Sequence, residues 1–232
     1  MGGFYVGLNG GYAFGTSNWN DPNNPGNTLI GGTATPGVST GDFNFSGGLG
    51  GATLGLNMQA SSYLFGVETD IDWTGIRGST SPANGFCNLA VSATAVASNC
   101  ETRNDWLGTA RARIGYVTNR VLVYGTGGVA FGNVQTGLSG SGLAGFSPAT
   151  GPFLNTVQLG WTAGAGVEVA FFDRWTAKVE YLFVDLGTVS CNVQASCGID
   201  AVGLTGFTPA NDSVKLTANI VRFGINYRFG PW

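Results

Sequence analysis

The sequence predicts an all-β fold: an eight-stranded antiparallel up-and-down transmembrane β-barrel with four long extracellular loops and short periplasmic turns. Three observations predict it. The 232 residues include 40 glycines and only 10% charged side chains, against about 7% glycine and 25% charged in an average soluble domain. Long and short connections alternate along the whole chain. Within the predicted strands, charge falls on one face and aromatic bulk on the other.

Composition excludes several classes. No run of 18 apolar residues occurs, so a transmembrane helix is not expected. Disorder is not expected either, because 43% hydrophobic and 12% aromatic residues with a net charge of -3 can bury a core. No basic cluster is present and the isoelectric point is near 4.7, so nucleic acid is not an expected partner. Histidine is absent, which removes the commonest general base and metal ligand together. The opening Met1-Gly2-Gly3-Phe4 does not read as a secretory signal; the signal is expected to have been removed. Residues 1–232 are read as one domain, a normal size for a barrel.

Period-2 alternation places strands at 4–15, 43–58, 63–74, 104–117, 121–134, 156–171, 175–187 and 213–229. Segments 16–42, 75–103, 135–155 and 188–212 are long and rich in Gly, Asn, Ser, Thr and Pro. Short turns lie between them at Gln59-Ala60-Ser61-Ser62, Thr118-Asn119-Arg120 and Phe172-Asp173-Arg174. Compact soluble domains rarely carry four such loops, whereas outer-membrane barrels do, with long loops outside and short turns in the periplasm. In the second strand the glycine-dense stretch Gly47–Gly51 reads as a switch of parity before Ala52, Leu54, Leu56 and Met58 point outwards. The third sets Tyr63, Phe65, Val67, Ile71 and Trp73 against Glu68, Asp70 and Asp72. The fourth sets Trp106, Ala110, Ile114 and Tyr116 against Arg111 and Arg113. Glycines blur the fifth, where Val121, Val123, Val129 and Phe131 are assigned outwards. The sixth opposes Trp161 and its neighbours to Glu168, and the seventh opposes Trp175, Tyr181 and Phe183 to Lys178 and Glu180. The last opposes Phe223, Tyr227 and Phe229 to Arg222 and Arg228, with Ile220-Val221 read as a bulge.

Alternation alone fits equally a soluble lipocalin-like barrel with its apolar face inside. Size decides against it, because an eight-stranded barrel has an interior just wide enough for side chains to fill. Twelve large aromatics would overfill it; Gly, Ala, Thr and a few ionic chains fit. The aromatics also fall mainly towards strand ends, as girdles do: Trp73, Trp106, Trp161 and Phe183 on the loop side, Tyr63, Tyr116, Trp175 and Tyr227 on the turn side, with Phe229 a further interface aromatic.

The interior is therefore expected to hold five acids (Glu68, Asp70, Asp72, Glu168, Glu180) and five bases (Arg111, Arg113, Lys178, Arg222, Arg228). Glu68, Asp70 and Asp72 are expected to meet Arg111 and Arg113, Glu168 to meet Lys178, and Glu180 to meet Arg222. A paired set of this kind reads as a plug; the alternative is a small-solute porin or a narrow ion-conducting pore. No catalytic site, metal site or cofactor is expected. The acids 68, 70 and 72 read as partners of arginine rather than as a Ca²⁺ site, and Gly125-x-Gly127-x-x-Ala130 reads as glycine-rich sheet rather than a dinucleotide turn. Cys87, Cys100, Cys191 and Cys197 fall in predicted loops and suit an oxidising compartment. Four cysteines allow three pairings; Cys87–Cys100 and Cys191–Cys197 close the shortest rings and are preferred. The loops are mostly uncharged, with apolar residues such as Leu29, Phe146 and Phe207 that suit either solvated loop or a docking surface.

Several segments resemble the small porin-family outer-membrane proteins of Gram-negative alphaproteobacteria, a group with outer-membrane immunogenic surface antigens and hemin-binding surface proteins. They are Phe4-Tyr5-Val6-Gly7-Leu8-Asn9-Gly10-Gly11-Tyr12, Phe65-Gly66-Val67-Glu68, Asp70-Ile71-Asp72-Trp73, Arg111-Ala112-Arg113-Ile114-Gly115-Tyr116, Lys178-Val179-Glu180-Tyr181 and Arg222-Phe223-Gly224-Ile225-Asn226-Tyr227-Arg228-Phe229. The resemblance implies an outer-membrane address, contact with membrane lipid and lipopolysaccharide, a surface or host partner through the loops, and recognition of a C-terminal aromatic by the barrel-assembly machinery. Phe229 and Trp232 are both candidates for that aromatic.

Overall fold

The computed structural model describes residues 2–21, 38–80, 89–91, 94–96, 99–139, 154–191 and 212–229. Among these residues the chain runs β1 (Gly3–Asp21), β2 (Val38–Ala60), β3 (Tyr63–Thr80), β4 (Leu89–Val91), β5 (Thr94–Val96), β6 (Asn99–Thr118), β7 (Val121–Ser139), β8 (Leu154–Phe172), β9 (Trp175–Cys191) and β10 (Asp212–Phe229). Eight of them close a barrel in the order β1-β10-β9-β8-β7-β6-β3-β2, every pair antiparallel; β4 and β5 form a separate two-stranded sheet. Closure joins the first strand to the last, from Phe4 opposite Phe229 to Asn20 opposite Ser213. With no free edge, each strand's backbone groups are paired on both sides, which is what a hydrocarbon surround requires.

Three tight turns join the strands at the periplasmic end. Ser61 and Asn119 adopt φ of 57° and 53°, the left-handed conformation that lets a two-residue turn follow the right-handed twist of its strands. Polar residues with short side chains tolerate it best.

Eight predicted strands are present, but they run further on the loop side than alternation indicates. β2 begins at Val38, β3 ends at Thr80, β6 begins at Asn99 and β9 ends at Cys191. Cys100 and Cys191 therefore belong to strands, not loops, and Cys100 is fully buried. Cys87 and Cys197, and so both preferred pairings, lie outside the described residues, as does Trp232. The hairpin β4–β5 interrupts a segment read as structureless.

The inward face accounts for the extra length. From turn to loop, β3 presents Leu64, Glu68, Asp70, Asp72 and Ile76; β9 presents Thr176, Lys178, Glu180, Leu182, Val184 and Leu186, all buried. On β10 the order is Arg228, Asn226, Arg222, Ile220, Leu216 and Val214. Polarity thus reverses twice along the cylinder. A small apolar floor of Leu64, Val117, Leu122, Tyr124 and Ala170 lies at the turn end. The ionic layer follows, and above it an apolar cluster includes Trp19, Phe43, Phe45, Leu107, Leu182 and Leu216.

Two expected irregularities dissolve as a result. β2 keeps one parity throughout, with Phe43, Phe45, Leu49 and Thr53 all inward; the glycines at 47–51 switch nothing. Ile220 points in and Val221 out in unbroken register, so there is no bulge there. Register shifts occur instead at Asn18/Asn20, Trp73/Ile76, Arg103/Leu107, Ala170/Phe172 and Lys215/Thr217. Asn133 staples the β6 irregularity, its Oδ1 accepting the backbone N–H of Asp105 at 2.9 Å and of Trp106 at 3.0 Å.

Outside, aromatic side chains meet one another at two levels. Tyr63 stacks edge-on to Tyr116, and Trp175, Tyr227, Phe229 and Phe4 make a continuous chain with centroids 5.1–5.7 Å apart. At the other level Trp106 meets Phe131 and Trp161 meets Phe183. Trp106 and Tyr227 are half-buried by these neighbours, while Tyr63, Trp73, Tyr116, Trp161, Trp175 and Phe229 are exposed. Tyr63 and Trp73 stand ten residues apart on β3, a vertical rise of about 25 Å for a strand tilted about 40°, matching the apolar band of such barrels.

Glycines on the inward face make room for two large side chains. A Cβ at Gly55 would lie 2.3 Å from the Tyr5 ring, and one at Gly166 would lie 2.6 Å from the Tyr124 ring. Gly166→Val is expected to prevent Tyr124 from occupying its place and to lower stability by about 1–3 kcal/mol, the usual cost of overpacking. The measurement is the temperature at which the detergent-solubilised barrel loses its compact electrophoretic form.

Candidate functional site

The ionic layer is built by five strands that each contribute inward charges at the same height. Glu68 of β3 lies opposite Arg111 of β6, and Glu180 of β9 opposite Arg222 of β10. Cross-strand geometry thus places opposite charges side by side, and the narrow bore lets long side chains reach the far wall.

Glu68 is the hub. Its Oε1 accepts from Arg111 Nη2 at 2.5 Å and Lys178 Nζ at 2.9 Å; its Oε2 accepts from the Tyr5 hydroxyl at 2.6 Å, Lys178 at 2.8 Å and Arg113 Nη1 at 3.1 Å. Arg222 stands 3.7 Å away as a fourth cation. Arg222 is the second centre, bonding Asp70 at 2.9 Å, Asp72 at 3.0 Å and Glu180 at 2.7 Å. Arg111 links the two, reaching Asp70 at 2.7 Å and Glu180 at 3.1 Å. All these side chains are buried, so their attraction is little screened by solvent.

Two expected pairings differ. Glu168 and Lys178 are opposite in register, yet Lys178 crosses the lumen to Glu68. Glu168 instead takes Arg113 Nη2 at 2.7 Å and the Thr176 hydroxyl at 2.6 Å. The multiple cations around Glu68 rest on this crossing. Asp72 joins Arg222 on β10 rather than the adjacent arginines of β6. Arg228, nearer the turn, donates to the Asp173 carbonyl at 3.3 Å. The remaining expected contacts, Glu68 and Asp70 with Arg111, Glu68 with Arg113 and Glu180 with Arg222, are made directly.

Sequence reasoning missed the two tyrosines. Tyr5 donates to Glu68 and accepts from Arg113 Nη1 at 2.8 Å; Tyr124 donates to Glu180 at 3.0 Å, and the Arg113 guanidinium lies 4.0 Å from its ring centroid, a cation–π distance. Their cross-strand partners are Gly55 and Gly166. An aromatic opposite glycine within a polar face was the available signal. Among the described residues, no group of three or more His, Cys, Asp or Glu is arranged to hold a metal ion.

A family model described as the outer membrane protein beta-barrel domain matches residues 1–229. The chain belongs to the outer membrane protein β-barrel family. A relative within this range of likeness is the 31 kDa outer-membrane immunogenic protein of Brucella melitensis, 32% identical over 98% of this chain and 83% of that protein. The 22 kDa outer membrane protein of Rhizobium leguminosarum is 30% identical over 67% of this chain and 62% of its own length. Among solved structures, the outer membrane protease OmpT of Escherichia coli aligns with a TM-score of 0.53 at 8% identity, covering 98% of this chain and 97% of that one; that is a likeness of fold alone. Membership places this family member in the outer membrane; the buried salt-bridge cluster inside the barrel is seen in its own structure.

Glu68→Gln would leave Lys178, Arg111 and Arg113 short of a buried counter-charge. A loss of about 3–5 kcal/mol is expected, as for a broken buried pair. Arg228→Gln, which removes the hydrogen bond to the Asp173 carbonyl, is expected to cost less, about 1 kcal/mol. Urea unfolding from lipid vesicles, followed by tryptophan fluorescence, measures both.

Proposed function

We propose that the protein is a non-enzymatic surface-interaction barrel whose lumen is plugged by its own side chains. The observation that carries this reading is the sequence of layers inside the cylinder. Leu64 and Leu122 below, and Leu107 and Leu182 above, are each no more than 3% exposed, and between them Glu68, Arg111, Arg113, Lys178 and Arg222 interlock across the bore. A solute would have to break several charge-assisted hydrogen bonds at once, each shorter and stronger than a neutral one. The absence of histidine removes the Ser–His and Asp–His arrangements on which hydrolytic sites are commonly built.

On this reading the functional surface is the loop end. The Brucella relative is named for its immunogenicity, which supports display at the cell surface, and the loops would meet a surface or host partner. The barrel wall would meet membrane lipid and lipopolysaccharide, and the C-terminal strand would engage the barrel-assembly machinery on insertion.

Planar-bilayer recording tests the plug. The wild-type barrel is expected to show no steady openings, and Arg111→Ala, which unties Glu68, Asp70 and Glu180 together, is expected to produce them. Large steady openings in the wild type would instead establish the porin reading.

A further inference from the structure

Above the loop-side aromatic ring the outer wall changes character. Trp73 and Trp106 face each other across β3 and β6, and beyond the register shift that follows, the next outward cross-strand partners are Arg77 and Arg103. Side chains opposed in this way sit with Cβ atoms about 5 Å apart, and like charges so placed repel. Glu101 binds Arg103 through Nε at 2.5 Å. The other nearby acid, Asp105, accepts from the side chains of Gln135 and Asn133. Arg77 is exposed and makes no ion pair among the described residues, so one positive charge of the pair lacks an acid of its own.

The position of the pair identifies what would balance it. Tryptophan rings of this kind sit at headgroup level, so a cation one step further out stands where lipid phosphates are. Two arginines in cross-strand register suit a shared phosphate, which arginine binds bidentately. We propose that Arg77 and Arg103 form a binding site for the phosphorylated headgroup of an outer-leaflet lipid, with Trp73 against the upper acyl chain; the site rests on the contact of the wall with membrane lipid proposed above. The source of the phosphate is the lipid and not a free anion, because the tryptophan below supplies an apolar contact that an inorganic ion cannot use.

The test uses the intact barrel in nanodiscs of phosphatidylcholine doped with lipid A, with bound lipid counted by native mass spectrometry after release into detergent. The wild type is expected to retain lipid A in preference to phosphatidylcholine. The double variant Arg77→Ala/Arg103→Ala is expected to lose at least five-fold of that retention, and Lys215→Ala, on β10, none. Arg77→Gln alone guards against a misfolded double variant and is expected to lose at least two-fold, with its compact electrophoretic form intact. Equal retention by wild type and either arginine variant would overturn the site. Displacement of lipid A by millimolar inorganic phosphate would overturn its assignment to lipid.

Discussion

Five acids and four bases shut inside a cylinder of eight strands can stay ionised only by satisfying one another. Hydrocarbon lies outside the wall, and charges on that face are expensive. The interior is too narrow for a bulk-water shell. Glu68 therefore gathers Arg111, Arg113 and Lys178, while Arg222 gathers Asp70, Asp72 and Glu180. This requirement fixes strand register more firmly than any local propensity. A slip of one residue in β3 would turn Glu68, Asp70 and Asp72 to lipid and Tyr63, Phe65 and Trp73 inwards, because side chains alternate with period two.

The same requirement governs how the glycines are used. Where long ionic chains must lie flat across the bore, the wall beneath them has to be bare. Tyr5 and Tyr124 rest on Gly55 and Gly166, and each offers a hydroxyl to a hub carboxylate. Glycine at these two positions is thus a packing consequence of charged and aromatic chains sharing one small lumen.

Legibility in the sequence followed polarity. Across the membrane-spanning heights the two faces differ in kind, so Tyr63–Thr74 or Trp175–Phe183 could be assigned residue by residue, and the ten charges with them. Above the outer aromatic ring the contrast inverts: Phe43, Phe45 and Ile220 point inwards while Arg77 and Lys215 point out. A reading tuned to aromatic-out, charge-in alternation stopped short there and placed irregularities where none exist. Partner choice was legible only for adjacent strands. Lys178 lies beside Glu168 in register but extends to Glu68, because a four-carbon stem spans the bore; such choices depend on barrel diameter, which no local pattern encodes. The tyrosines escaped notice because β1 and β7 carry no inward charge to define their polar face.

The strands outlast the membrane band by several residues, and their upper interior is filled by Trp19, Phe43, Phe45, Val189, Val214 and Leu216. That packed extension works as a pedestal between the bilayer and the connections it carries. Its own apolar core makes it self-supporting, so substitutions in those connections need not propagate down into the salt-bridged layer. A scaffold of this design separates what the loop end carries from the portion that must thread into lipid.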